Sequence, residues 1–600
     1  MSAVAEPEKA PTTQAAPGVG RAAEYGSDVI VDVLRRLGIR YAALNPGASF
    51  RHLHDSIVNW GGNHDPEVIE CLHEEIAVAI AHGYAVSSGK PMAAIVHDVV
   101  GLQHASIAVY HAWLDKVPIL VLGGTGPMDT VRRRPKNDWG HTALVQGNIV
   151  RDYTKWDDQP ASPGAVPKSL IRAYNVATSA PAGPVYVCYD VTVQEQTLDG
   201  PVTIPDLREH PKPTRLQAAD EALDEVADRL VRAKSPVIIA EYAGRDPAAS
   251  VALTRLAELL GAPVIGRPGR FNIASTHPLH LVKGGKDLAE AADVILAVDV
   301  PNLYGFFFTG SDRGPAHGPK PSAWLAHITL GDLGIGGWSH GYQELAPVDL
   351  EIRAESGLAL PSLLARCEAL LKDRAPASGP RVDAIKTRSR ELRASLLREA
   401  EAAANSRPIA LSHLALQLRR ALEPHPWMIT KGMLKDLVWQ LLDVERPDQW
   451  IGINFGGGLG NGLGYSLGVA LHRKDDDVIC VDVQGDGDLL YTPNTLWTAA
   501  KYRIPLLIVI NNNRSYFNSE NHARNVARGR GRPLAETGVG TQIDGPATDL
   551  AALARSFGVE AAGPIEDPAL LGPTLTRAAE VVRRERRPFL VDVRTAPADE

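Results

Sequence analysis

The chain has 600 residues, of which 44% are hydrophobic and 22% are charged, and its formal net charge is −8. These values are typical of a soluble globular protein with roughly three or four domains. The net charge gives no reason to expect nucleic acid or a membrane as a partner. No apolar stretch approaches the ~20 residues that a membrane-spanning helix needs.

The four cysteines are scattered along the chain without CxxC spacing. This argues against a zinc site and against a disulfide framework, so we expect reduced thiols and a cytoplasmic protein. The first twenty residues have no apolar core and do not predict a secretory signal. We expect residues 1–20 to form a disordered tail.

Residues 21–195 predict a first α/β domain. A helix is predicted at 26–37, and strands are predicted at 41–44, 93–96, 119–122 and 184–189, with helices between them. This alternation favours a mostly parallel sheet that is covered on both faces.

One helix of this domain, at 72–85, reads LHEEIAVAIAHGYA. Ala77 and Ala81 lie four residues apart on one face, where another backbone can approach closely. Glu74 and Glu75 stand at the helix start, and the alternative to a catalytic role is an acidic pair that favours the helix dipole.

The segment that follows, at 96–104, reads VHDVVGLQH and contains His97. Further polar candidates around a substrate stand here and in the turn near residue 47, with a satisfied surface or core residue as the alternative for each. They are Asn45, Ser49, His52, His54, Gln103 and His104.

Residues 205–375 predict a middle α/β domain behind a linker at 207–215. A helix is predicted at 218–233 and strands at 236–240, 263–265, 294–298 and 326–330. We find no GxGxxG motif, so nothing demands a dinucleotide, and the glycine-rich segment 334–338 is compatible with a connection. A second linker at 375–383 is predicted to lead into charged helices.

Residues 406–600 predict the last α/β domain, with helices at 409–422 and 431–442 before a glycine-rich stretch. An apolar run at 478–483 then leads into Gly485, Asp486 and Gly487, and a second apolar run at 506–510 ends on three asparagines. Two parallel strands joined by a helix bring their carboxyl ends to one sheet edge, where ligands bind. A carboxylate, an amide oxygen and a backbone carbonyl at such an edge suit Mg²⁺ bridging to a phosphate.

Three motifs in this order resemble the thiamine-diphosphate-dependent enzyme family. The GDG run with Asn513 27 positions after Asp486 resembles the family's diphosphate-binding motif, and 72–85 resembles its HExxAxxxAxGYA helix. The segment LWTAAKYRIP at 496–505 is similar to the benzoylformate decarboxylase and acetolactate synthase branch, and His97 to the former. The resemblance implies three consecutive doubly wound parallel-sheet domains: pyrimidine-binding, central Rossmann-like and diphosphate-binding.

The resemblance also implies a set of site residues. Glu74 contacts the aminopyrimidine ring as the activating acid, and burial is expected to raise its pKa. Asp486, Asn513 and the carbonyl of Ser515 bind Mg²⁺, while Gly485 and Gly487 flank the diphosphate and Leu463 props the bent cofactor. Glu520 and His522, on a basic segment at 516–532 that is a candidate lid, and His97 are candidate acid/base groups.

The implied reaction proceeds through a C2 carbanion and an enamine of thiamine diphosphate, cleaving or forming a C–C bond. A 2-oxo acid is the favoured substrate, and the alternative is a 2-hydroxyacyl-CoA split into formyl-CoA and an aldehyde or ketone. A non-catalytic binding subunit with the same fold is the alternative of another class. The family architecture implies a homodimer or homotetramer with the cofactor between subunits, and FAD or ADP in the central domain stays open.

Overall fold

The computed structural model describes residues 22–136, 138–307, 322–331, 345–372, 376–434, 436–452 and 457–597. Three parallel sheets follow one another along the chain, and each is flanked by helices. The predicted α/β class with three consecutive domains is therefore confirmed. No helix among these described residues is long and apolar enough to cross a membrane. The predicted tail at 1–20 lies outside the described residues.

The first sheet has six strands in the order β2-β1-β3-β4-β6-β5. The strands are β1 Tyr41–Leu44, β2 Glu67–Glu70, β3 Ala93–Val96, β4 Leu120–Thr125, β5 Asp157–Asp158 and β6 Val185–Asp190. The α-helices are Gly26–Arg36, Arg51–Asp55, Glu74–Ser88, Val100–Leu114, Val166–Thr178 and Val191–Glu195. Strands β2 and β5 were not predicted from the sequence.

The middle sheet has five strands in the order β11-β10-β9-β7-β8. They are β7 Pro236–Ala240, β8 Val264–Ile265, β9 Val294–Val298, β10 Trp324–Thr329 and β11 Leu350–Arg353. The α-helices are Asp220–Arg232, Pro247–Leu260, Lys286–Glu290, Leu303–Phe307, Ser356–Leu371 and Pro380–Ala402. The last helix begins at Pro380, inside the predicted linker 375–383, because proline is well tolerated in the first turn of a helix.

The last sheet has five strands in the order β12-β13-β14-β16-β15. They are β12 Trp427–Gly432, β13 Ile479–Gly485, β14 Leu507–Asn512, β15 Glu560–Ile565 and β16 Phe589–Arg594. The α-helices are Leu411–Leu422, Leu437–Leu441, Asn461–His472, Asp486–Tyr491, Thr495–Lys501, Phe517–Gly529, Leu550–Ser556 and Pro568–Glu585.

One secondary-structure prediction for this last domain is wrong. The helix predicted at 431–442 begins only at Leu437, since Lys431 belongs to the buried strand β12. The candidate lid segment at 516–532 is largely the Phe517–Gly529 helix, in which Glu520 and Ala527 are buried, and its role as a lid stays a prediction.

The first and last domains pack through two helices, which we name the glutamate helix (Glu74–Ser88) and the glycine helix (Asn461–His472). A Cβ on Gly83 would lie 1.8 Å from the carbonyl oxygen of Tyr465, and a Cβ on Gly468 would lie 2.0 Å from that of Ile80. The two backbones can approach this closely only because glycine stands at both positions.

Candidate functional site

The first half of the candidate site lies at the carboxyl edge of the last sheet. Strands β13 and β14 are parallel neighbours in which Gly485 pairs with Asn511. Asp486 follows β13, and Asn513 follows β14, so both stand at the same edge. A Cβ on Gly485 would meet nothing within 4 Å, and the ring of Tyr516 packs on Gly487.

The three consecutive asparagines have different hydrogen-bond partners. Asn511 accepts a hydrogen bond from the hydroxyl of Thr595, and Asn512 donates one of 2.9 Å to Asp592. Asn513 lies beyond the strand, where its Oδ1 accepts a 2.9 Å bond from the N–H of Ser515. An amide oxygen has two lone pairs, so Asn513 keeps one for a cation.

Asp486 has the electrostatic character of a cation ligand. It is buried, and its Oδ2 accepts a 2.7 Å hydrogen bond from the N–H of Arg514, whose φ of 58° turns the loop back on itself. Burial raises the pKa of Asp486 to about 6. Among the described residues no side chain forms an ion pair with it. A divalent cation held by Asp486, Asn513 and the carbonyl of Ser515 would supply the missing positive charge.

Glu520 holds the loop after β14. Its carboxylate is buried, accepts a 2.7 Å bond from the Ser515 hydroxyl and pairs with Arg524 at 2.6 Å. These contacts give Glu520 a positioning role for Ser515 in this structure, while its acid/base role stays a prediction. His522 is exposed on the same helix.

Glu74 begins the glutamate helix and lies in the first domain. Its Oε2 is 3.2 Å from Nδ1 of His104, and the Asn45 side chain is a second hydrogen-bond partner. Burial raises its pKa, but the hydrogen bonds from Asn45, its own N–H and His104 outweigh this and hold the pKa of Glu74 below its ordinary value. The predicted net rise is therefore wrong for this chain, because those donors stabilise the carboxylate.

Glu75 faces in another direction, toward the last domain. Its Oε1 is buried without a hydrogen-bond partner, and burial together with Asp488 raises the pKa of Glu75 to about 7. Asp488 itself forms a buried ion pair with Lys431 and accepts a 2.7 Å bond from the N–H of Gly460. Lys431 was not singled out in the sequence, where it stood at the start of the predicted helix 431–442.

His97 lies beside Glu74. A Cβ on Gly101 would be 2.8 Å from Cβ of His97 and 2.9 Å from Oε1 of Glu74, so both side chains border the same glycine. The ring accepts or donates a 2.9 Å bond through Nδ1 to the hydroxyl of Ser49. This partner is one of the polar candidates of the turn near residue 47.

The remaining candidates fall at different places. Leu463 is buried in the first turn of the glycine helix. His52 lies 3.7 Å from Glu195, and His54 and Gln103 are exposed. The glycine-rich segment 334–338 of the middle domain lies outside the described residues, as do 453–456 of the glycine stretch, so the question of a nucleotide stays open.

Two family models match the chain. The model of the thiamine pyrophosphate enzyme N-terminal TPP binding domain matches residues 25–148, and that of the C-terminal TPP binding domain matches residues 431–593. These two matches contain, respectively, Glu74 with His97, and Asp486 with Asn513. Each half of the candidate site therefore falls in a domain that is described as binding the cofactor.

Relatives match over most of the chain. A benzoylformate decarboxylase of Pseudomonas aeruginosa is 25% identical over 553 residues, which cover 88% of this chain and 92% of that protein. A probable acetolactate synthase 2 of Oryza sativa subsp. japonica, labelled chloroplastic, is 25% identical over 587 residues, or 93% of this chain and 81% of that protein.

Solved structures share the fold. The benzoylformate decarboxylase of Polynucleobacter necessarius gives a TM-score of 0.75 at 20% identity, and covers 96% of this chain and 100% of its own. The 4-hydroxybenzoylformate decarboxylase of Rhodococcus jostii RHA1 gives a TM-score of 0.74 at 21% identity with the same coverage.

Proposed function

Because the chain belongs to the family of thiamine-pyrophosphate-dependent enzymes, we propose that it breaks or forms the C–C bond next to the carbonyl of a 2-oxo acid, most simply by decarboxylation. The observation that carries this proposal is His97, held by Ser49 beside Glu74, in a chain that keeps Asp486 and Asn513 at one sheet edge. The relatives named decarboxylase and synthase support the same reaction class.

In this proposal the last domain binds the diphosphate. Asp486, Asn513 and the carbonyl of Ser515 hold Mg²⁺, which neutralises phosphate charge. Glu520 fixes Ser515 through its hydroxyl, and Gly485 leaves open space at the strand end. Leu463 supports the cofactor from the glycine helix.

In this proposal the first domain supplies the activating acid, Glu74, and the residue that contacts the substrate, His97. Glu74 holds a proton at its carboxyl against the aminopyrimidine ring, and bound thiamine diphosphate supplies the carbon nucleophile and the electron sink for bond cleavage. His97 hydrogen-bonds the substrate and moves a proton at its ring nitrogen. Loss of the hydrogen bond from His104 or Asn45 would raise the pKa of the Glu74 carboxyl and so favour its protonated form.

The two halves belong to different domains, and we propose that they complete each other across a homodimer, alone or in a homotetramer. Each chain presents Glu74 in its first domain and Asp486 in its last, so a pair of chains carries two cofactor sites.

A 2-hydroxyacyl-CoA is the second candidate substrate. Arg528, Arg530 and Arg532 are exposed at the end of the Phe517–Gly529 helix and form a basic surface that suits phosphate groups. Cleavage of such a thioester would release formyl-CoA and an aldehyde or ketone.

The test is a product assay with the enzyme reconstituted with thiamine diphosphate and Mg²⁺. We expect CO₂ from aryl or alkyl 2-oxo acids such as benzoylformate, and no formyl-CoA from 2-hydroxyacyl-CoA. Formyl-CoA release without turnover of any 2-oxo acid would transfer the assignment to the second candidate. No turnover with either class, and cofactor bound without exchange of its C2 proton, would favour a binding subunit.

Glu74→Gln should lower turnover by about 10²–10⁴-fold, because it removes the proton at the aminopyrimidine, while cofactor affinity measured by calorimetry falls far less. The matched control is Glu75→Gln on the next residue, which faces the other domain and should retain activity. Equal losses in both variants would contradict the role of Glu74.

A further inference from the structure

Two histidines meet at one buried carboxylate on the substrate side of the first domain. His97 and Asp98 follow β3, and His141 lies in the segment after β4. Nδ1 of His141 is 3.0 Å from Oδ1 of Asp98, and Nδ1 of His97 is 3.2 Å from the same oxygen. The two rings lie edge to face with their centroids 5.3 Å apart.

The hydrogen bonds of this cluster distinguish the two rings. The His141–Asp98 contact is a hydrogen bond, so with Asp98 ionised the Nδ1–H of His141 donates to it. Nδ1 of His97 forms a hydrogen bond with the hydroxyl of Ser49. The same hydroxyl accepts a 3.1 Å bond from the N–H of Asp98. A lone pair on Nδ1 of His97 would face the carboxylate oxygen, so Asp98 favours a proton on that nitrogen.

The three side chains of the cluster differ in their exposure to solvent. The side chain of Asp98 is 6% exposed, that of His97 is 19% exposed and that of His141 is 37% exposed. Asp98 therefore interacts electrostatically with both rings: the less exposed imidazole of His97, beside Glu74, and the more exposed imidazole of His141. In this partly buried setting a neighbouring charge acts more strongly than in water.

The electrostatic effects on His97 oppose each other. Burial lowers the pKa of His97, Asp98 raises it, His141 lowers it and Glu74 raises it. Burial raises the pKa of Asp98, while His97 and His141 lower it and Asp138 raises it. Tyr186 and Cys188, both fully buried, also interact electrostatically with Asp98.

We propose that His141, acting through Asp98, sets the charge on His97 and is thus a positioning residue of the active site. Asp98 stabilises the imidazolium form of His97, and positive charge at His141 opposes that stabilisation. The assignment rests on the proposed function only in that it places His97 at the substrate; the coupling itself is a property of the first domain.

The test follows the protonation of His97 without turnover. Diethyl pyrocarbonate acylates neutral imidazole, so its rate at the His97 peptide, measured by mass spectrometry across pH in the cofactor-loaded full chain, reports the charge on that ring. Asp98→Asn should move the midpoint to lower pH by about one unit, because it removes the negative charge. His141→Gln should move it to higher pH by about half a unit, because it keeps a donor to Asp98 but removes a positive charge.

Opposite shifts would separate charge coupling from a change in packing. His210→Gln, on an exposed histidine that follows the first domain, is the matched control and should leave the midpoint in place. Unmoved midpoints in both cluster variants, or shifts in the same direction, would overturn the proposal. His141→Gln at a partly exposed position keeps the test valid if Asp98→Asn fails to fold. Opposite shifts in a protein that turns over no 2-oxo acid would retain this inference and reject the proposed substrate.

Discussion

At the scale of single residues, the glutamate helix presents two adjacent carboxyl groups to different surroundings. Glu74 has Asn45 and His104 as hydrogen-bond partners, whereas Oε1 of Glu75 has none among the described residues and lies near the Lys431–Asp488 pair. The sequence motif assigns the cofactor contact to Glu74, and this assignment stays a prediction. It could not predict the pKa of either, because the deciding partners come from residues far along the chain.

Glu75→Gln should stabilise the protein above neutral pH. The pKa of Glu75 is raised to about 7 in the folded chain from an ordinary value of 4.5, so the stability that protonated Glu75 contributes is present below about pH 4.5 and is lost as pH rises through 7. We expect urea unfolding to give similar stabilities for the variant and the native chain near pH 5. The variant should be more stable by about 1–3 kcal/mol near pH 8, since it carries no charge to bury. The exposed Glu221→Gln is the control, and a pH-independent difference would contradict the burial of a charge at position 75.

At the scale of secondary structure, the sequence predicted central strands better than edge strands. Strands β1, β3, β7 and β9 have the predicted bounds, and all four lie inside their sheets. The unpredicted strands β2, β5, β11, β12 and β15 are all edge strands. Most of them are only half-buried, so they lack the continuous apolar run that identifies a buried parallel strand. Strand β12 is buried, but it contains the charged residue Lys431. The partner that neutralises this charge, Asp488, lies far along the chain, so the sequence pattern does not indicate a buried strand.

The crossing of the glutamate and glycine helices was predicted only in part. The small residues Ala77 and Ala81 suggested a close backbone approach, and the structure places that approach at Ala79 and Gly83. Gly464 lies against Ala79, and a Cβ on Gly464 would lie 2.7 Å from the methyl carbon of that alanine. The face that packs depends on the partner helix, which a single helical motif does not specify.

Gly83→Ala should weaken this crossing, because its new methyl group would overlap the carbonyl of Tyr465 and force the two helices apart. We expect a loss of about 1–3 kcal/mol of unfolding free energy, visible as a lower thermal midpoint. Gly200→Ala is the control, since a Cβ there meets nothing within 4 Å. An unchanged midpoint for Gly83→Ala would mean that the helices do not pack as described.

At the scale of the whole molecule, buried polar contacts tie the three domains of one chain together. His82 and Asp115 of the first domain lie 3.1 Å apart, and Arg270 of the middle domain lies 3.9 Å from the same Asp115 oxygen. Tyr465 of the last domain interacts electrostatically with Arg270. These contacts join the three domains within one chain, whereas the cofactor that we propose to contact Glu74 and Asp486 would join two chains.

Mixed dimers test this arrangement directly. Glu74→Gln removes the acid and Asp486→Asn removes the metal ligand, so each variant alone should lose exchange of the cofactor's C2 proton. If the site is shared between chains, a mixed dimer of the two variants carries one site with both native residues and one site with neither. Random pairing should then restore about a quarter of the native exchange rate per chain. If each site lies within one chain, every site in the mixture carries a substitution and exchange stays absent, which would contradict the shared site. Light scattering on the same mixture confirms that chains have paired, so that absent exchange cannot be blamed on monomers.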